Sequence, residues 1–397
     1  MSHLNMPTVS LAACHLLSMQ TPTLGHLVLP NLLYIAWGSS WELMPFLRLF
    51  LSPGLVNVRI LFPDGDPHPY RLAVVPLIPT KRLVHLTCSQ MSPGNDTSLL
   101  EALRNLLDEA SGTLRSVSWR REIPTTIFDR LLRLSNLRYL DVEPPRAPIS
   151  PPEVVFPSLE QLVIRTGEVS SWLNIFEKIP NPALQDLIIH FMEDSPPDYL
   201  QVLGYSLKAA NKEQSLTRFQ CSWEDAITIT EVELHPLLSF ERLTTLVLRS
   251  CSQECTVQLD DPFVCRLAKA LPRLETLRLG DAPPNAVTNV TVESLVALST
   301  NCVDLDFLRI HFDATAIPSR STYENSQMRK SSCKLRTLSV GSQPPPSGDD
   351  DILQFAFAIA HIFPHVEDIW GCEEGWRKVN QHLELFREES TIIPPFI

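Results

Sequence analysis

A short pattern, apolar-x-x-apolar-x-apolar, recurs along almost the whole chain and constrains its fold more than any other feature. Its first residues stand at positions 32, 55, 83, 114, 137, 159, 184, 216, 243, 274, 305, 335 and 366. The second and third apolar residues of each copy are two apart, so they share one face of a β-strand. We therefore expect about thirteen short strands, each with one face turned to a core.

Helical patterns separate the predicted strands. In the segment 97–110, Leu99, Leu103, Leu106 and Leu107 recur at helical spacing. Further helices are expected over 199–210, 261–271, 291–299, 352–363 and 375–389. Strand, helix and strand at short period require parallel strands with right-handed crossovers, and one such unit buries its apolar face only by stacking on neighbours. The sequence therefore predicts an α/β solenoid with strands on a concave face and helices on a convex face.

Three regions follow from this pattern. Residues 24–372 form the predicted solenoid, and residues 373–397 form a capping helix and tail. Residues 1–23 form an N-terminal segment outside the repeats. The low glycine content, 13 residues beside 34 prolines, disfavours a chain built on phosphate-binding glycine loops.

The repeats resemble the leucine-rich repeat, LxxLxLxxN/CxL, in an irregular form. Cys251 in the copy that begins at Leu243 fits the ninth position, and the segment 295–310, with Asn301-Cys302, is similar to the cysteine-containing type of this repeat. The layout, with segments 43–53, 267–274 and 371–376, resembles the large fungal group of F-box/leucine-rich-repeat-like proteins. That resemblance implies a protein-binding receptor that selects substrates for a cullin-type ubiquitin ligase.

The F-box itself, which docks a Skp-type adaptor, is not clear in the sequence. The segment 29–35, LPNLLYI, imitates the opening of an F-box, but Pro45, Pro53 and Gly54 are expected to interrupt the helices that should follow. We interpret 29–35 as a repeat strand and 1–23 as a candidate remnant of a lost F-box region. An adaptor is expected only if an F-box precedes this sequence. The rival readings are an F-box-free scaffold or decoy without a ligase link, and an unrecognised enzyme.

Charge and motif content disfavour several function classes. With 33 Lys and Arg against 45 Asp and Glu, the net charge of −12 disfavours binding to nucleic acid or anionic membranes. Nine scattered cysteines indicate reduced thiols in the cytoplasm or nucleus. The sequence contains no GxSxG, GxGxxG, GxxxxGK[ST] or HExxH motif, and Pro364 separates His361 from His365. We predict no catalytic residue, no metal and no cofactor.

Arginine prevails at the third, fifth and seventh positions of the pattern, which alternate with the core residues and should face the concave surface. These arginines are Arg59, Arg120, Arg165, Arg218, Arg249, Arg278 and Arg309. Aromatic and imidazole side chains expected on the same surface are Tyr139, Phe307, His311 and Trp370. Arginine and aromatic residues dominate protein interfaces, and arginine suits carboxylate and phosphate groups. The hypothesis is a site for an acidic or phosphorylated partner segment; the alternative is that these arginines only keep an exposed face soluble.

Overall fold

The computed structural model describes residues 3–5, 29–38, 41–61, 75–89, 97–147, 151–167, 169–180, 183–192, 198–250, 255–280, 288–314, 332–341, 344–371 and 373–392. Two compact units divide the chain, Met1–Gln185 and Asp186–Ile397. Both units combine parallel strands with helices, as expected for an α/β fold.

The first unit contains a parallel sheet whose strand order follows the chain order. Its second apolar positions lie side by side across neighbouring strands, as in Leu86↔Val117 and Val117↔Leu140. The first residue of each pattern is buried at the start of its strand, for example Leu83 and Leu114, both 0% exposed. The strands are β1 (His3–Asn5), β2 (Tyr34–Gly38), β3 (Asn57–Leu61), β4 (His85–Ser89), β5 (Ser116–Glu122), β6 (Tyr139–Glu143) and β7 (Gln161–Thr166).

One helix of the first unit has the bounds that the sequence predicts, and another continues through a proline that was expected to interrupt it. The α-helices of this unit are Thr97–Ala110, which has the predicted bounds, Thr125–Leu131 and Ser170–Phe176. The expected interruption at Pro45 is wrong, because a 3-10 helix spans Trp41–Phe50. A 3-10 helix is wound more tightly than an α-helix and uses i→i+3 hydrogen bonds. A shorter 3-10 helix spans Val75–Leu77.

The N-terminal segment 1–23 lies largely outside the described residues. Within it the structure describes β1, which pairs in parallel with β2 through His3↔Tyr34. The segment 29–35 leads into β2, so the interpretation of this segment as a repeat strand agrees with the structure.

The second unit contains a run of parallel strands in chain order and a small sheet that the sequence did not predict. The main strands are β8 (Asp186–Phe191), β9 (Arg218–Trp223), β11 (Thr245–Ser250), β13 (Thr276–Leu279), β14 (Phe307–Arg309), β15 (Thr337–Gly341) and β16 (Asp368–Gly371). The small sheet pairs β10 (Ile227–Thr230) with β12 (Cys255–Gln258). Gly280 follows β13 at φ +76°, and a Cβ there would lie 2.3 Å from the Cys255 carbonyl oxygen.

Capping side chains hold the N-termini of three helices of the second unit, those that begin at Glu231, Asp261 and Val292. The α-helices of this unit are Asp198–Ala209, Glu231–Leu234, Asp261–Ala270, Val292–Asn301, Asp349–Ile362 and Glu374–Ile392, and 3-10 helices span Lys212–Gln214 and His235–Ser239. Asp260 caps its own helix by accepting from the Phe263 N–H at 2.8 Å. Asp261 reaches the next helix, where its carboxylate accepts from the Thr291 N–H at 2.8 Å and from the hydroxyls of Thr291 and Ser294.

Buried thiols tie successive repeats of the second unit together. The Cys302 thiol donates to the Leu271 carbonyl at 3.5 Å, and the Cys333 thiol donates to the Cys302 carbonyl at 3.4 Å. Cys302 belongs to the segment that resembles a cysteine-containing repeat, and here it bonds to the preceding repeat. Cys251, expected at the ninth position, lies outside the described residues.

Candidate functional site

The strands of each unit have one buried face and one face that is more exposed, and we call the more exposed face the open face. Along β11 the side chains of Leu246 and Leu248 are buried, whereas those of Thr245, Val247 and Arg249 are partly exposed. The same alternation recurs in β8 and β13. The open face therefore carries the third, fifth and seventh positions of the pattern, where the sequence places its arginines.

The open face of the first unit contains one buried carboxylate, Asp141, which pairs with two arginines. Asp141 is 2% exposed, and its Oδ2 accepts from the Ser118 hydroxyl at 2.9 Å. Arg165 Nη2 lies 3.0 Å from Asp141 Oδ1, and Arg120 Nε lies 3.6 Å from Oδ2. Both arginines were predicted to face a partner, and in the structure both pair with the same aspartate. The charge of this surface is therefore largely balanced within the chain.

Tyr139 and Glu143 lie on the strand that carries Asp141. Burial raises the pKa of Tyr139, the Asp141 carboxylate adds to this effect, and Arg165 and Arg120 oppose it. Burial also raises the pKa of Glu143.

Two carboxylates face each other at the end of this strand pair. Glu122 and Glu143 are in register, and the like charge of Glu122 adds to the rise in the pKa of Glu143, against Arg146, Arg121 and Arg165. Arg146 Nε lies 3.5 Å from Glu122. Arg59, on β3, is exposed and has no ion pair among the described residues.

On the open face of the second unit, two predicted arginines lie side by side. Arg278 of β13 and Arg309 of β14 are in register, so their backbones are about 4.8 Å apart. The same row continues through Ser339 of β15 to Trp370 of β16. Both arginines are partly exposed, and the Trp370 side chain is 57% exposed, with its indole N–H bonded to Asp368. This row joins two cationic groups to an exposed aromatic ring.

Phe307 and His311 flank this row on β14 and just beyond it. Phe307 is two residues before Arg309, so both point to the open face, and it is partly exposed. His311 is half-buried, and burial lowers its pKa while Asp313 opposes the change. Burial therefore favours a neutral imidazole beside the arginine row.

The two remaining predicted arginines of the second unit lie in other rows. Arg218 Nη1 is 3.2 Å from Asp186 Oδ2 on the neighbouring strand. Arg249 is in register with Ser222, whose hydroxyl lies 2.6 Å from His190 Nδ1. Among the described residues Arg249 makes no ion pair. The predicted arginines of this unit therefore do not form one continuous stripe.

A polar surface cavity of about 790 Å³ lies where the later strands begin. Its lining residues are Glu275, Thr276, Asp304, Asp306, Lys334, Arg336, His365 and Glu367. Asp304 pairs with Lys334 at 2.7 Å, and Asp306 pairs with Arg336 at 2.6 Å. These ion pairs join residues at the starts of neighbouring strands, so the charged groups of the cavity are largely paired with each other.

The described residues hold neither a cluster of metal ligands nor a membrane-spanning helix. Across the ranges that the structure describes, no three His, Cys, Asp or Glu side chains are grouped as metal ligands. None of the described helices has the length and apolar character needed to cross a bilayer.

Sequence comparisons add no assignment to this geometry. No protein-family model matches the chain, and a search of curated proteins finds no match. The features that can support a function are therefore those of the two open faces.

Proposed function

We propose that the chain is a protein-recognition module with an irregular leucine-rich-repeat-like architecture, and that its ligand binds the open face of the second unit. In-order parallel strands with intervening helices support the repeat architecture. The observation that carries the binding proposal is the row Arg278, Arg309, Ser339 and Trp370.

The chemistry of this row suits an acidic or phosphorylated peptide segment. Two guanidinium groups at one register position present parallel N–H donors, which match the oxygens of a carboxylate or phosphate. Phe307 and Trp370 offer apolar surface on either side of Arg309, and aromatic residues beside arginine are typical of interface hot spots. In the first unit, Arg120 and Arg165 lie on either side of one aspartate, Asp141, and both pair with it.

The test compares binding of synthetic peptides by fluorescence anisotropy. Peptides of one apolar pattern carry either acidic, phosphoserine or basic residues at the same positions. We expect acidic or phosphorylated peptides to bind and the double variant Arg278→Met with Arg309→Met to weaken this binding at least tenfold. The matched control is Arg218→Met, which removes an arginine of the same face that already pairs with Asp186. Equal affinity for basic and acidic peptides, or an unchanged double variant, would overturn the proposal.

The cellular role that we propose for this module is substrate selection for a cullin-type ubiquitin ligase, in the cytoplasm or nucleus. The resemblance of the repeats to those of F-box/leucine-rich-repeat proteins supports this role, and the proposal assigns no reaction to the chain itself. A pull-down with a purified Skp-type adaptor, using the chain with any sequence that precedes it, tests the ligase link. Capture of the adaptor supports the link. Peptide binding without adaptor capture assigns the chain to the F-box-free scaffolds or decoys.

A further inference from the structure

The backbone hydrogen bonds at the start of the main strands of the second unit follow one pattern. The carbonyl of the residue after the first apolar position accepts hydrogen bonds from the N–H groups that open the next strand. Thr244 accepts from Glu275 at 2.8 Å, and Arg336 accepts from Glu367 at 2.7 Å. Other carbonyls that follow this pattern are those of Thr217, Glu275 and Asp306. Each repeat thereby supplies the acceptors of its successor.

At β16, the last strand of the described part of the chain, a side chain takes the role that the next strand plays elsewhere. No described strand lies beyond β16. The Glu367 carbonyl, which would serve the next repeat, accepts instead from the Arg387 guanidinium at 2.8 Å. Arg387 belongs to the C-terminal helix Glu374–Ile392.

A second side chain of the same helix satisfies the next edge position. Ile369 lies two residues after Glu367, so its N–H and C=O point to the same outer edge of the sheet. The Ile369 N–H donates to Asn380 Oδ1 at 2.9 Å, and Asn380 Nδ2 donates to the Ile369 carbonyl at 2.9 Å. The amide group of Asn380 therefore makes the two bonds that a residue of a neighbouring strand would make. Its Nδ2 also donates to the Asp368 carboxylate at 2.9 Å.

The C-terminal helix is held firmly against this edge. Trp376, Val379 and Leu383 lie on one side of the helix and are at most 1% exposed. A Cβ at Gly371 would lie 2.2 Å from the Trp376 ring, so the end of β16 and the helix are in close contact. Lys378 pairs with Asp349 of the preceding helix at 2.8 Å.

We propose that Asn380 and Arg387 close the outer edge of β16 by replacing the backbone of a further strand, and thereby prevent this edge from pairing with a second copy of the chain. An uncovered edge strand is a template for pairing, and its N–H and C=O groups are the binding groups. Two identical edges related by a twofold axis pair antiparallel and extend both sheets. The occupant expected on the uncovered edge is therefore the β16 edge of another copy.

The experiment measures the mass of the full chain in solution by sedimentation velocity over a concentration series. The double variant Asn380→Leu with Arg387→Met keeps side-chain volume and removes the three edge bonds. We expect its mass to double with rising concentration, while the parent chain stays monomeric. The control Arg377→Met, which loses only an exposed pair with Glu374 on the same helix, should also stay monomeric. Adding Trp370→Lys to the double variant should restore the monomer, because a lysine on an edge strand opposes pairing.

Circular dichroism of each variant separates edge pairing from loss of the fold. Asn380→Asp changes one residue and leaves Arg387 in place. Its carboxylate still accepts from Ile369 N–H, but it cannot donate to the Ile369 carbonyl and it repels the Asp368 carboxylate; it should dimerise partially with an unchanged helix signal. A double variant that is folded and monomeric at every concentration would overturn the proposal, with or without a lower unfolding temperature. If the double variant unfolds, a monomeric Asn380→Asp variant would overturn it equally. Dimers that persist with Trp370→Lys would also contradict pairing through β16.

Discussion

The open faces of the two units use the same residue types in opposite ways. In the first unit a single buried aspartate, Asp141, lies between Arg120 and Arg165 and pairs with both. In the second unit Arg278 and Arg309 lie directly beside each other in register. An alternating sheet pattern places arginine on the open face of both units, and the neighbouring strand decides whether the residue beside that arginine is an aspartate or a second arginine.

The difference also separates a structural role from a binding role. Asp141 is buried, so its ion pairs and its bond from Ser118 contribute to the stability of the first unit. The row that ends at the exposed Trp370 is the surface on which we propose that a partner docks. Substitutions on the two faces should therefore change different measured quantities.

The largest expected effect is on stability in the first unit. Asp141→Ala leaves two adjacent arginines and a buried hydroxyl without their shared acceptor, and we expect a loss of about 2–3 kcal/mol in the free energy of unfolding. Asp186→Ala in the second unit removes the partner of a half-exposed arginine and should cost less than about 1 kcal/mol. Urea denaturation, with hydrogen exchange to assign the loss to each unit, measures both. Equal losses of unfolding free energy in Asp141→Ala and Asp186→Ala would contradict the difference between the two units.

An intermediate effect, on the affinity for peptides, is expected when a carboxylate is added to the open face of the second unit, where the first unit has Asp141. Ser339 lies in register with Arg309, so Ser339→Asp places a carboxylate where it can pair with that arginine, as Asp141 does with Arg165. We expect the affinity for acidic peptides to fall about tenfold, or about 1.4 kcal/mol, with the fold retained. Ser339→Asn is the neutral control of the same shape and should keep the affinity. A similar loss in both variants would assign the effect to shape and not to charge.

The smallest effects concern acid stability and have opposite signs in the two units. In the first unit burial, together with Glu122, raises the pKa of Glu143 above its ordinary value of 4.5. The folded state therefore favours the protonated form. This contribution is fully present below pH 4.5 and is lost as the pH rises through the folded pKa.

In the second unit Asp261 behaves in the opposite way. Burial alone would raise its pKa, but the hydrogen bonds from Ser294 and Thr291 outweigh burial and hold the pKa below 3.8. The contribution of Asp261 is full above pH 3.8 and is lost as the pH falls through the folded pKa. Hydrogen exchange of each unit across this pH range measures both trends. Glu143→Gln and Asp261→Asn should each flatten the trend of their own unit alone, and a change in the other unit would contradict the assignment.

The strands could be predicted because their signal is local. Each pattern begins with a residue that the fold buries, such as Leu83 or Leu274, and the spacing of Leu99, Leu103 and Leu106 is enough to define the helix Thr97–Ala110. The sequence did not predict the small sheet of β10 and β12, because neither strand carries the apolar-x-x-apolar-x-apolar pattern. Its pairing depends on contacts between residues 28 positions apart, as in Ile227↔Cys255.

The candidate site was harder to predict because it depends on register. The sequence placed Arg120 and Arg165 on one surface, but it did not predict that Asp141 would lie between the two arginines and pair with both. It also grouped Arg249 with Arg278, although the register puts Val247 beside Arg278. The length of each loop sets these offsets, and the short repeat pattern carries no information about them.

The buried cysteines make it possible to measure local opening in each unit separately. Burial raises the pKa of Cys88 in the first unit and of Cys302 in the second to about 12, so neither thiol ionises at neutral pH while its repeat is closed. A thiol-specific reagent attacks the thiolate, so it modifies these residues only when the surrounding repeat opens. Labelling rates read by mass spectrometry, peptide by peptide, thus give each half of the chain its own opening rate, with the partly exposed Cys265 as the fast reference.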